Sequence, residues 1–360
     1  MRTIVCMLAV VLAASAQDKQ DPKRVELEMT PATRAAIDKG LDLLARRLQR
    51  NGSYEGSAPV ATSALCGLAF LASGSTYDRG PYSDKIRKCT DFIVKSGGRT
   101  GFITEANSGV MGGSGMHGHG FATLFLAEVS GTIGDADVQE RVKDALTKAV
   151  RNIEGTQNQY GGWNSSPDKN QNDDGSGAVA VMQITAMRAA RNAGIEVDKK
   201  SVEKAGQYIL KITSNDGWTQ YNIHNAHGGR GSSALTGAGM AIINALGLHE
   251  SPKYKKGIAN VMSSAPFLSK GQADGGWQSW YHYAAFYCTL AIFQNGGSEW
   301  RTWWAGVRDD ILKKQSTDGS WAGSYGSYGP LWSAFACLTL EMPYRYLPMY
   351  AEGGKGRDGN

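Results

Sequence analysis

Lys313-Lys314-Gln315-Ser316-Thr317-Asp318-Gly319-Ser320-Trp321 leaves a charged amphipathic segment and turns at Asp-Gly. It then plants a tryptophan and leads into an apolar run that ends near Leu340. The same order recurs upstream. Gln272-Ala273-Asp274-Gly275-Gly276-Trp277 precedes the apolar run 281–293, and Gln157-Asn158-Gln159-Tyr160-Gly161-Gly162-Trp163 precedes 176–191. Asn215-Asp216-Gly217-Trp218 precedes 232–246 without the glutamine. Two eroded copies, Gly52-Ser53-Tyr54 and Thr100-Gly101-Phe102, precede 61–72 and 119–129. The six aromatic residues are 44 to 61 positions apart, a period that marks a repeat architecture.

Each repeat pairs two kinds of helix. Thr30-Pro31 supplies an N-cap and a first-turn proline, after which Ile37, Leu41, Leu44 and Leu48 recur at helical spacing opposite Arg46, Arg47 and Arg50. Further amphipathic helices are predicted near 84–96, 136–153, 201–213, 254–265 and 299–315. Their partners are apolar nearly all round and rich in Ala, Gly, Ser and Thr, so they must be buried on most sides. Two concentric layers of six follow, and a closed ring needs no capping repeat. The fold class read from the chain is therefore all-α, an α6/α6 toroid. Trp300, Trp303 and Trp304 on the last outer helix are expected to pack on the first repeat and close it.

The chain has 360 residues and opens with a basic residue, a short apolar core and Ala14-Ser15-Ala16. This pattern predicts a signal peptide over 1–16, and with it an exported, periplasmic or extracellular protein. A flexible segment over 17–29, a single toroid domain over 30–350 and a disordered tail over 351–360 complete the expected organisation. No later run is long enough to span a bilayer. The net charge of +5, less Arg2, leaves +4. That balance gives no reason to expect nucleic acid or anionic membrane as a partner. Cys66, Cys89, Cys288 and Cys337 lie in apolar or amphipathic helical runs without a CxxC pair. Export permits disulfides, but buried free thiols are the expectation.

Gln157–Trp163 and Gln315–Trp321 match the QxxxGxW pattern, and Gln272–Trp277 matches it with a shorter spacer. The pattern resembles the QW motif of squalene-hopene and oxidosqualene cyclases, whose repeat is shared with the β-subunits of protein prenyltransferases. Segments 119–128, 286–297 and 344–350 resemble exported bacterial proteins described as prenyltransferase and squalene oxidase repeat proteins. The resemblance spans about residues 30–345 and implies the α/α toroid, with Gln157, Trp163, Trp218, Gln272, Trp277, Gln315 and Trp321 in structural roles. It carries no reaction with it.

In such a ring the loops that enter the inner helices converge on one end of a central cavity, where helix N-termini favour negative groups. The candidates there are His117, His119, Asp173, Asp174, His224, His227, Arg230, Trp280, Tyr281, His282, Tyr283 and Tyr328, with Tyr325 beside the last. Gln171-Asn172-Asp173-Asp174 resembles the end of the cyclase acid motif DxDD, which would make Asp173 the proton donor. The first aspartate of that motif is Gln171 here, and a plain helix cap by Asp173 or Asp174 is the simpler reading. His282 matches the zinc-binding histidine of the prenyltransferases, but Arg230-Gly231-Ser232 stands where that family has Asp-x-Cys. A cation and a hydroxyl do not hold zinc, so no metal, no cofactor and no zinc-dependent prenyl transfer are expected. Asp168-Lys169-Asn170 begins like a calcium loop, but it lacks the glycine at the sixth position and the closing glutamate.

Five of the six histidines fall in these entry regions: His117, His119, His224, His227 and His282. They read either as a shared site or as residues tolerated in polar glycine-rich loops, with His119 capping its helix. Two functional readings stay open. One is a non-catalytic exported toroid that binds a hydrophobic, isoprenoid or saccharide ligand, or a protein partner, in its cavity or on its rim. The other is an enzyme. It would be an isoprenoid cyclase using Asp173 as acid, or a carbohydrate-active lyase or hydrolase using loop His, Tyr and Arg, with Asp174, His282 and Tyr283 as further catalytic candidates. No carboxylate pair stands at a spacing suited to glycoside hydrolysis.

Overall fold

The computed structural model describes residues 28–104, 115–167, 174–224, 231–268, 271, 273–323 and 329–350. Among them the regular elements are thirteen α-helices and two short 3-10 turns, with isolated β-bridges only. The outer layer comprises α1 (Pro31–Arg47), α3 (Ser83–Ser96), α5 (Ala136–Thr156), α7 (Lys199–Ile212), α9 (Pro252–Ser264) and α12 (Gly297–Lys313). The inner layer comprises α2 (Pro59–Ala72), α4 (Gly115–Ser130), α6 (Gly177–Asn192), α8 (Ser233–Ala245), α11 (Tyr281–Asn295) and α13 (Gly329–Leu340). A single-turn helix, α10 (Gly275–Ser279), precedes α11. No described helix is long and apolar enough to cross a membrane.

The sequence patterns account for both layers. Outer helices bury one stripe: Ile86, Cys89, Thr90 and Ile93 on α3, for example, while the basic residues stay out. Inner helices are buried almost throughout; every residue of α2 after Pro59 is buried. Thr30 caps α1 as expected, its hydroxyl accepting from the Thr33 N–H at 3.2 Å. Each inner helix packs on the next, from α2 through α4, α6, α8, α11 and α13, and α13 packs back on α2. The inner ring is thereby closed.

The turn between an outer and an inner helix is what links one repeat to the next. Gln157 donates from Nε2 to the carbonyl of Gly161 in its own turn (3.1 Å) and to Ser201 on the following outer helix (3.0 Å). Gln315 repeats this with Gly319 (3.1 Å) and Ala36 on α1 (2.9 Å), so the last repeat grips the first as any repeat grips its successor. The aromatic residue locks the turn to its own outer helix. Trp163 donates to the Ile153 carbonyl, Trp321 to Ile311 and Tyr54 to Leu44, each ten positions back. Gly319 adopts φ +96°, and a Cβ there would lie 2.6 Å from the Lys39 carbonyl oxygen. Gly161, at φ +91°, likewise sits against the Lys204 carbonyl of α7. Any larger residue would force the turn off the neighbouring helix.

Trp300 and Trp304 donate to the Glu28 carboxylate (2.7 Å) and carbonyl (2.9 Å), which brings the segment before α1 onto α12. Trp303 instead donates to Thr289 of α11 (2.9 Å). Cys66, Cys89, Cys288 and Cys337 are free and buried. After α13 the chain turns through Met342–Tyr344 and Pro348–Tyr350 across the far end of the inner ring, where Tyr350 donates to the Leu338 carbonyl (3.1 Å). Two carboxyl groups are buried there. Burial pushes Glu128 up to about 8, partly offset by the Met349 N–H and by Arg188. Burial and Asp38 raise Glu341 as well.

Two predictions follow from these contacts. Gly194 has φ +84° but open space around it, so Gly194→Ala should cost only the left-handed backbone strain, about 1 kcal/mol. Gly319→Ala should cost roughly 2–4 kcal/mol in urea unfolding, because the neighbouring backbone must move too. Equal costs would show that the docking contact contributes nothing. For Glu128 the folded pKa lies above the unfolded one, so its contribution is intact below about pH 4.5 and is lost as pH rises through about 8. Glu128→Gln should therefore raise the melting temperature relative to wild type at pH 8–9, and the gap should close near pH 4.5.

Candidate functional site

The loops that enter the inner helices meet at the end of the ring opposite Tyr350, around a cavity of about 490 Å³. His117 of α4, Tyr221, Leu235 of α8, Asp274, Trp280 and Tyr283 form much of its wall, with Ser232 and Ser279 adding hydroxyls. Its size and mixed lining are those of a small-molecule site. Tyr221 is half exposed at 49%. Trp280 is held against Trp332 with ring centroids 5.8 Å apart. Tyr283 packs on Tyr287 at 4.7 Å and on Phe335 at 5.8 Å, and burial raises its phenol well above the usual range.

Four helix ends around this cavity each place at least one backbone donor on a protein acceptor. Met116 N–H donates to the Ser165 carbonyl at 3.2 Å, and Gly177 N–H to the Tyr221 carbonyl at 2.6 Å. Asp274 serves two helices at once. Its carboxylate accepts from Ser233 N–H (2.7 Å) and Ser233 Oγ (2.8 Å) of α8, and from Gly276 N–H (2.9 Å) and Trp277 N–H (3.3 Å) of α10. Ser232 caps α8 by accepting from Leu235 N–H at 3.2 Å. It stands at the position that the prenyltransferase resemblance gives to a cysteine ligand.

The candidate residues separate into three groups. His117, Trp280 and Tyr283 share the cavity wall. His119 and His282 are buried in structural bonds. The His119 ring accepts from Ile103 N–H at 3.1 Å and donates to the Ala149 carbonyl at 3.2 Å, and His282 Nε2 donates to the Ala322 carbonyl at 3.0 Å. His119 lies inside α4 and bridges outward, so it does not cap that helix. Tyr281 turns outward too, donating to Asp310 beneath the Lys314 ammonium, which lies 4.6 Å from its ring centroid. Asp174 does not cap α6. Its carboxylate accepts from His224 N–H (2.9 Å) and from its ring Nδ1–H (2.6 Å), pinning the 221–224 turn whose Tyr221 carbonyl caps α6 instead. His224 itself is exposed. Asp173, His227, Arg230, Gln272 and Tyr328 lie outside the described residues, as do residues 1–16, where a signal peptide is expected, most of 17–29 and the stretch 351–360.

Tyr221, Asp274 and Ser279 line the cavity as well, although the sequence singles out none of them as a site residue. Asp274 had a local signal, since Asp before Gly-Gly-Trp is an N-cap pattern, but its reach to Ser233, 41 positions away, is tertiary. Tyr221 had none.

No family model matches the chain, and no curated protein matches it in sequence. Solved structures do. The alpha-1,6-mannanase GH76A of Salegentibacter sp. HEL1_6 aligns with TM-score 0.61 at 9% identity, covering 87% of this chain and 99% of that one. An inactive variant of that enzyme is in complex with alpha-1,6-mannotetrose. The type II terpene cyclase MstE from Scytonema aligns with TM-score 0.53 at 12% identity, covering 88% and 100%. The fold is an α/α toroid. At these identities the likeness extends to the fold and no further.

The buried imidazoles give a prediction. Burial pushes His117, His119 and His282 down to about 4, so each is neutral in the folded protein at pH 6. Their contribution to stability is present above about pH 6.5 and is lost as pH falls through about 4. Ring resonances followed by NMR should keep the neutral-imidazole shift for these three residues down to about pH 5. Titration of any of them near 6.5 would contradict the burial argument.

Proposed function

We propose that this protein binds a saccharide in the cavity by stacking it on aromatic side chains, without acid–base chemistry from the described wall. The observation that carries this reading is the composition of that wall. Three aromatic residues, Tyr221, Trp280 and Tyr283, line one cavity whose carboxylate, Asp274, already accepts four hydrogen bonds. A carboxylate so engaged is committed to holding two helix ends, with its lone pairs turned to protein donors. Aromatic rings offer apolar faces to the C–H surface of a sugar, while Ser279 and the Tyr221 hydroxyl supply polar contacts. Burial keeps the His117 ring of the wall neutral, so it brings no charge to the cavity. The export pattern at the N-terminus and the fold shared with a mannanase point the same way.

The competing reading is an isoprenoid cyclase with Asp173 as its acid, and it draws on the fold shared with MstE. Tryptophan fluorescence titration with neutral mannan and glucan oligosaccharides separates the two. Trp280→Ala and Tyr221→Ala should each weaken binding about tenfold, which corresponds to about 1.4 kcal/mol, and Asp173→Ala should leave it unchanged. Turnover of a prenylated substrate that is abolished by Asp173→Ala, with no oligosaccharide binding, would overturn the proposal.

A further inference from the structure

Helix N-termini arranged around a cavity ordinarily make it attractive to anions. Here several of those donors are already committed. One from α4 and one from α6 go to the carbonyls of Ser165 and Tyr221, and one from α8 and two from α10 go to a single carboxylate. Asp274 accepts from the starts of α8 and α10 as a bound anion would, and among the described residues it makes no ion pair. Its hydrogen-bond donors are all uncharged groups, so no neighbouring cation cancels the field of the carboxylate in the cavity it lines. The described wall contains no Lys or Arg.

We infer that Asp274 is a specificity-determining residue that makes the cavity selective against negatively charged ligands, so that its ligand is an uncharged hydroxylated molecule. This rests on the reading of the cavity as a binding site. It does not depend on whether the hydroxyls belong to a sugar or to a prenyl alcohol. In either class the acidic relative is refused: a uronate in place of the neutral sugar, or a diphosphate in place of the alcohol. A unit negative charge brought within several ångström of a carboxylate in a partly enclosed site loses roughly tenfold or more in affinity. The hydroxyls of a neutral ligand meet no such repulsion. The capping role of Asp274 and its selectivity role have one physical origin, because the carboxylate that satisfies two helix ends also removes their attraction for anions.

The test titrates the full-length protein with matched pairs, a neutral oligosaccharide against its uronic acid counterpart and farnesol against farnesyl diphosphate, reading tryptophan fluorescence at low and high salt. In the wild type the neutral member of the pair that binds should bind at least tenfold more tightly, and the gap should narrow with salt as the repulsion is screened. In Asp274→Asn the ratio between the two members of the pair should shrink toward parity, whatever the change in absolute affinity. If the variant does not fold, the salt dependence of the wild type carries the test alone. Tighter binding of the acidic member, or a gap that salt does not change, overturns the inference and leaves the binding site standing. Failure of every ligand to bind, with Trp280→Ala indistinguishable from wild type, overturns the proposed function itself.

Discussion

The structure depends on one contact made again and again: a tight turn pressed against the backbone of the next outer helix. The turn needs a glycine at positive φ because a Cβ would enter a lysine carbonyl of that helix, as at Gly161 against Lys204 and Gly319 against Lys39. Where glutamine is present, its amide bonds the turn and the neighbouring helix together. The step from repeat to repeat is thereby fixed, and a fixed angular step is what lets six hairpins close. The closing contact, Gln315 to Ala36, has the same chemistry as the internal one. The ring thus has no seam of a different kind, although the tryptophans of α12 reinforce it from outside.

Closure has consequences at both ends of the inner ring. One end is covered by the chain after α13, and Glu128 and Glu341 are buried there. The other end gathers helix N-termini, whose unsatisfied donors would be costly if left bare. The protein meets several of them with its own carbonyls and with Asp274, beside a cavity walled by Tyr221, Trp280 and Tyr283. The solution that stabilises the helix ends therefore also decides the electrostatic character of the site.

Much of the architecture was legible in the chain because it rests on local periodicity. The outer helices announce themselves by one-sided burial, as in Ile37, Leu41 and Leu44, and the inner ones by the absence of any polar face. The Gly-aromatic turns mark each junction. The site was legible only by region. His117, Trp280 and Tyr283 do line the cavity, whereas His119, Tyr281 and His282 share the same loop and helix-start context and point elsewhere. Adjacent residues on a helix project about 100° apart, so Tyr281, His282 and Tyr283 cannot all face one cavity. A sequence window does not say which of them does.

By itself, then, the sequence determined the repeat, the two layers and the end of the ring where chemistry could gather. These follow from hydrophobic periodicity and turn chemistry, which act within a few residues. Only the tertiary structure decided that Asp174 is taken by His224, that Asp274 spans to Ser233, and that Tyr221 completes the aromatic wall. Those partners are 41 to 50 residues apart, and hydrogen bonds at that separation are set by the closure of the ring, not by any pattern along the chain.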